Sequence, residues 1–198
     1  MVRHAILVAM AILPLAAAHT FADDGADCAD RSGTLMTSAP ARVVAACTRL
    51  AEQGDAAGQN RLGVLLSGGV ALPKDEAKAL EWYRRSAEQG YAPAEFNLAS
   101  AFFFGHGVAP DTAQSIRWYR SAADQGFALA QAVLGSLYRV GLGVPQDYQQ
   151  AYVWFCLAVG HGASEALRVR DETAKLLTAA ELAAARDRVR AWRPASGK

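Results

Sequence analysis

The sequence predicts an all-α protein, a right-handed superhelical solenoid of stacked helical hairpins, and three observations carry that prediction. Gly54, Gly90, Gly126 and Gly162 stand thirty-six residues apart, as do Trp82, Trp118 and Trp154, a period that fits one helical hairpin. Alanine supplies 43 of the 198 residues while Val, Ile and Thr are sparse, which favours helices over sheets. Each period also contains one glycine-containing break followed by an aspartate, the mark of two helices joined by a turn.

Residues 1–22 begin with Arg3, run through the apolar stretch Ala5–Ala18 and end at Thr20-Phe21-Ala22, just before Asp23-Asp24. This is a secretory signal pattern with a cut expected after Ala22. The apolar run falls short of the ~20 residues that span a bilayer. Export would place the protein in the periplasm or outside the cell, where disulfides persist. Three cysteines leave one over. A Cys28–Cys47 bridge would close a loop of about 20 residues, worth ~3 kcal/mol in the chain-entropy model. Three free thiols or other pairings remain open from the sequence. Cys156 falls where the two preceding units carry Arg84 and Arg120, and its simplest reading is an unreactive thiol covered by the C-terminal helices.

Residues 23–39, rich in Asp, Ala, Ser and Gly, read as a flexible leader tied down through Cys28. Pro40 and the run Val43, Val44, Cys47, Leu50, Ala51 predict a lone second helix over a half unit, 40–54. Full units follow at 55–90, 91–126 and 127–162. In each, small and large apolar residues recur at helical spacing, as in Ala94, Leu98, Ala99 and Phe102. Gly63, Ala99 and Gly135 keep one position small and would admit a close neighbouring helix. The breaks Gly105-His106-Gly107-Val108 and Gly141-Leu142-Gly143-Val144 turn the chain, with the first unit departing as Gly69-Val70-Ala71-Leu72.

Pro73, Pro110 and Pro145 block continuation from upstream, and Asp75, Asp111 and Asp147 are N-cap candidates for the second helix. Gln114 and Gln150 stand where a capping box needs them. Trp82-Tyr83, Trp118-Tyr119 and Trp154-Phe155 supply that helix's large apolar surface, and the periodic glycines close it. Residues 163–198 read as capping helices and a tail, with Thr178-Ala179-Ala180-Glu181 a capping box ahead of Leu182, Ala185, Val189 and Trp192 and a frayed end over 193–198. One hairpin cannot bury its apolar stripe alone, so the copies stack with neighbour-only contacts.

The chain resembles the Sel-one-like repeat (SLR) family, relatives of tetratricopeptide repeats, over about residues 40–162. Unit three shows the family pattern most fully, with Ala130, Leu134-Gly135, Tyr138, Gly141-Leu142-Gly143-Val144, Asp147, Ala151, Trp154 and Gly162. Unit two has Leu98-Ala99 for the family's Leu-Gly, and unit one has Leu66 where an aromatic is usual. The resemblance implies an adaptor or scaffold, often exported in bacteria. Some cysteine-rich exported relatives are linked to penicillin binding or hydrolysis, but their paired in-repeat cysteines are missing here.

Composition narrows the function. With 20 Lys+Arg against 19 Asp+Glu, and 19 of each once Arg3 leaves with the signal segment, nothing marks a nucleic-acid or polyanion binder. No Gly-x-Ser-x-Gly elbow, Ser-x-x-Lys nucleophile, Walker loop or His-Glu-x-x-His is present. His106 and His161 lie in different turns and do not make a metal pair. The sequence therefore predicts a scaffold with no cofactor or metal and no chemistry of its own, whose partner is a protein or peptide bound on the concave face. The partner groove, placed by analogy with tetratricopeptide repeats, comprises Asn60, Val64, Phe96, Ser100, Phe103, Phe104, Ser136 and Arg139. The three phenylalanines would anchor the partner, while Asn60 and Arg139 read a peptide backbone or carboxylate. The competing readings are an envelope enzyme, such as a weak β-lactam hydrolase, and a structural subunit that binds through its convex face or end helices.

Overall fold

The computed structural model describes residues 24–29, 36 and 38–195; the signal segment expected at 1–22 lies outside them. Every regular element among the described residues is helical. The helices are α1 (Pro40–Glu52), α2 (Ala56–Gly68), α3 (Glu76–Glu88), α4 (Ala92–Phe104), α5 (Thr112–Asp124), α6 (Ala128–Val140), α7 (Tyr148–Gly160), α8 (Ala166–Ala174) and α9 (Ala179–Ala191). Each packs on its chain neighbours from α1 to α8, which builds the stacked hairpins α2/α3, α4/α5 and α6/α7. Only α9 leaves that order, lying back against α7. None of the helices among the described residues is long and apolar enough to cross a membrane.

The second helices begin alike because their caps do two jobs. Asp75, Asp111 and Asp147 accept from the backbone N–H three residues on, at 3.0, 2.9 and 2.8 Å. Their own N–H groups donate to the carbonyls of Leu66, Phe102 and Tyr138 at 3.0, 2.8 and 2.9 Å, which ties each second helix to the first helix of its own hairpin. The expected capping boxes at Gln114 and Gln150 are accordingly absent: the cap N–H is already committed. Gln114 instead donates its amide to Asp111 Oδ2 at 2.9 Å, and Gln150 accepts from Arg188 on α9. The box at Thr178 does form, with Thr178 N–H donating to Glu181 Oε2 at 2.8 Å and Glu181 N–H to Thr178 Oγ1 at 3.3 Å.

Two positions show why glycine is needed. A Cβ on Gly135 would lie 2.7 Å from the Phe155 ring, so the small residue lets α7 close onto α6. Gly107, at φ +72°, sits so tightly on the first turn of α3 that a Cβ would come 2.3 Å from the Glu76 carbonyl oxygen. The first unit has alanine at the corresponding place, and Ala71 is held at φ 61°.

The tryptophans follow how each second helix is covered. Trp82 is half-buried beneath the Arg85 guanidinium, 4.7 Å from the ring centroid. Trp118 is also half-buried and touches the two central core clusters. Trp154 is buried, packed in one cluster with Leu182, Ala185 and Val189 of α9. The neighbours of Trp154 are Val153, Cys156 and Leu157, whereas the same places hold Arg117, Arg120 and Ser121 in α5 and Glu81, Arg84 and Arg85 in α3. Charge on α3 and α5 faces solvent; apolar side chains on α7 face α9.

Described residues near both ends have partners in the body of the chain. Residues 24–28 form a helical turn in which Asp24 and Asp27 are buried and pair with Arg49 and Arg42 of α1. The Arg49 hydrogen bond holds the Asp24 carboxyl below the ordinary carboxylate range. Cys28 and Cys47 form a disulfide in the same cluster. At the far end, Ala195 N–H donates to the Asp124 carbonyl at 2.7 Å, fastening the chain after α9 to the end of α5.

A buried polar residue recurs near the start of each first helix: Gln59, Glu95 and Gln131. Gln59 donates to the Ala51 carbonyl at 3.3 Å and accepts from Gln89 at 2.7 Å. Gln131 donates to the Ala123 carbonyl at 2.9 Å and pairs with His161 at 2.8 Å. Glu95 accepts twice, from Ser121 at 2.8 Å and Gln125 at 2.9 Å, and burial pushes its carboxyl above the ordinary range. A carboxyl raised in the folded state favours folding while protonated, so its contribution is present in acid and is lost as pH rises through the raised value. Glu95→Gln places an amide there, as in the flanking units. We expect it to raise stability at neutral pH by about 1 kcal/mol or less and to remove that decline, measured by urea unfolding between mildly acidic and mildly alkaline pH.

Candidate functional site

The first helices present one side of each hairpin that the next helix does not cover, and the structure divides the eight expected groove residues. Phe104 and Val140, the last residues of α4 and α6, are 64% and 62% exposed. They occupy the same place one repeat apart. Val64 is exposed at 36%, and Ser136 is exposed with its hydroxyl bonded back to the Ala132 carbonyl at 3.1 Å. Of the eight, Val64, Phe104 and Ser136 face outward.

Phe96 does not. Its ring packs between Tyr119 and Phe127, with centroids 5.5 and 5.4 Å away, and joins the central core. Ser100 is committed to the same corner, donating to the Phe96 carbonyl at 3.0 Å and lying 2.9 Å from the Tyr119 hydroxyl. Phe103 is half-buried against the core and meets Phe104 edge-on at 5.0 Å, so it supports the exposed ring. The two expected polar readers also have partners within the chain. Asn60 accepts from Asn97 at 2.8 Å, and Arg139 faces Glu172 of α8 at 3.8 Å.

Beside Phe104 the structure holds a cleft of about 250 Å³ between units one and two. Its floor is apolar, made by Ala79, Leu80 and Ala101, all buried. Its walls carry the Ser67 and Tyr83 hydroxyls, 3.0 Å apart, together with Asn97 and Ser100. Its rim is charged. Lys74 Nζ and His106 Nδ1 approach the same oxygen of Glu76 at 2.8 and 3.3 Å, and the Lys74 hydrogen bond keeps that carboxyl below its ordinary range. Of this cleft, the expected groove included Ser100 and, as the unit-one equivalent of Phe103, Ser67. The sequence signal that could have found it is Asn97, which stands where the other units carry Arg61 and Val133.

No cluster of three or more His, Cys, Asp or Glu able to hold a metal exists among the described residues. His161 packs on Trp192 at 5.1 Å, apart from His106. Cys156 is a free thiol, half-buried on α7; burial raises its pKa, leaving less of the nucleophilic thiolate.

A ladder of equal helical hairpins, each packed on its chain neighbours, defines a repeat-scaffold fold. The Sel1 repeat model matches residues 56–91, 92–127 and 128–162, and the chain belongs to the Sel1 repeat family. Among solved structures it is similar to a protective antigen of uropathogenic Escherichia coli displaying an SLR fold, at 34% identity and a TM-score of 0.75, covering 87% of this chain and 37% of that one. It is also similar to a Sel1 repeat protein from Oxalobacter formigenes, at 34% identity and a TM-score of 0.60, covering 63% of this chain and 53% of that one. The chain thus spans between a third and just over half of those proteins. No curated protein matches it.

Proposed function

We propose that this chain is an exported scaffold that binds a protein or peptide partner along the concave, first-helix side of the solenoid and performs no chemistry itself. The observation that carries the reading is the pair Phe104 and Val140, large apolar side chains exposed at the same place in successive repeats. Each offers about 1.5–3 kcal/mol if a partner covers it fully. The outer side supports the reading by contrast, because Arg84, Arg85, Arg117 and Arg120 keep α3 and α5 solvated there, and α9 covers the apolar part of α7.

The test is capture of envelope proteins by the purified chain. Phe104→Ser with Val140→Ser is expected to lower partner recovery at least tenfold while helical circular dichroism stays unchanged. Arg84→Ala with Arg117→Ala is expected to leave recovery intact. Loss only with the outer pair would favour the structural-subunit reading. Turnover of a chromogenic β-lactam, abolished by one side-chain change, would favour the enzyme.

A further inference from the structure

Phe104, Val140 and Leu176 stand thirty-six residues apart, and all three are exposed, Leu176 at 51%. Leu176 follows α8, which packs on α7 as α6 packs on α5, so the apolar series of the first-helix side continues past α6. The turns along it are in direct contact. Gly143 lies against Thr112 and Ile116 of α5, as Gly107 lies against Glu76 of α3. Three anchors in line suit a partner segment that continues on both sides of Val140.

The charge on this side is distinctive. The charged residues of α2, α4 and α6 are Arg61, Glu95 and Arg139, and the one acid is buried and bonded to Ser121 and Gln125. By contrast, α3 and α5 carry Glu76, Glu81, Glu88 and Asp124. Where α6 meets α8, two guanidinium groups share one carboxylate. Arg168 takes Glu172 Oε1 at 2.6 Å, which leaves Arg139 Nη2 at 3.8 Å from Oε2, outside hydrogen-bond range. Arg139 Nε is buried with no acceptor. Lys175 adds a third, exposed cation, while Arg170 and Asp171 pair with each other. Fixed positive charge is thus in excess beside Val140, on a guanidinium whose donors are unused. The acids that share a cleft with Leu176, Asp147 and Glu181, are committed to helix caps, so an apolar residue suits that end.

We propose that the partner segment is acidic as well as apolar: it lies across Phe104, Val140 and Leu176 and sets the side-chain carboxylate of an internal Asp or Glu on Arg139. A carboxylate can accept two parallel N–H bonds from a guanidinium, which an amide or a basic residue cannot match. Because the segment runs on to Leu176, its acid is a side chain and not a chain end.

This inference rests on the first-helix reading and adds the partner's chemistry to it. The test is selection of a random dodecapeptide library on the purified protein, each peptide fused through its C-terminal end so that no chain-end carboxylate is free. Selected peptides are expected to share an Asp or Glu between large apolar residues. In a synthetic copy with an amidated C-terminus, changing that acid to its amide should weaken binding about tenfold, the loss of one charge-assisted pair. Arg139→Gln in the protein should do the same with circular dichroism unchanged, and the two changes together should weaken binding no further. No enriched sequence, an enriched sequence without an acid, or losses that multiply would overturn the proposal. Selected peptides that lack an acid yet lose binding with Phe104→Ser remove the acidic contact alone; peptides indifferent to both Phe104→Ser and Val140→Ser remove the first-helix reading too.

Discussion

Gly107→Ala is expected to destabilise the protein by about 3 kcal/mol, combining the left-handed backbone penalty with overpacking. The added Cβ would stand 2.3 Å from the Glu76 carbonyl oxygen, a backbone atom at the start of α3 that cannot swing aside. The turn of unit two would have to lift from the hairpin before it, loosening the Glu76–His106 contact across the same seam. For a chain of this size the expected fall in Tm is roughly 6–12 °C. Ala71→Gly is the mirror experiment. It relieves an alanine held at φ 61° and should raise stability by up to about 1 kcal/mol, since glycine also gains freedom in the unfolded chain. An unchanged Tm for Gly107→Ala would mean that the turn does not bear on the preceding repeat.

The second large effect concerns the N-terminal end. Removing the bridge by Cys28→Ser with Cys47→Ser is expected to cost about 3 kcal/mol, typical for a loop of this length. The bridge holds the 24–28 turn against α1, and the same turn carries Asp24 and Asp27 to Arg49 and Arg42. Because repeats are stabilised by their neighbours, the loss should be felt first at α1 and α2. Hydrogen exchange would show it as faster exchange over 40–68, with the α6/α7 hairpin protected as before. Uniform acceleration along the chain would contradict neighbour-only coupling.

The hairpin ladder was legible because it repeats. Glycines and tryptophans at one period, with an aspartate at one place in each unit, leave little choice of architecture, and the helices fall where the period puts them. The groove was less legible for a physical reason. Phenylalanines at 96, 103 and 104 look alike along one helix, yet Phe96 is claimed by Tyr119 and Phe127, which arrive from α5 and the loop before α6. Its truncation should therefore loosen the core, and Phe104 is the residue to change when binding is the question. The path of α9 was written in α7, where Val153, Cys156 and Leu157 replace the charged or hydroxyl residues of earlier units. The leader's pairing was hidden because Asp24 and Asp27 resemble solvated acids until Arg49 and Arg42 meet them on α1.

Recognition along the inner side of the ladder is tested most directly by site-specific photo-crosslinking in the cell envelope. A photoreactive residue at 104 or 140 is expected to join the chain to one discrete partner protein, while the same probe at 84 or 117 gives none. A partner captured from 84 or 117 and never from 104 or 140 would contradict the account.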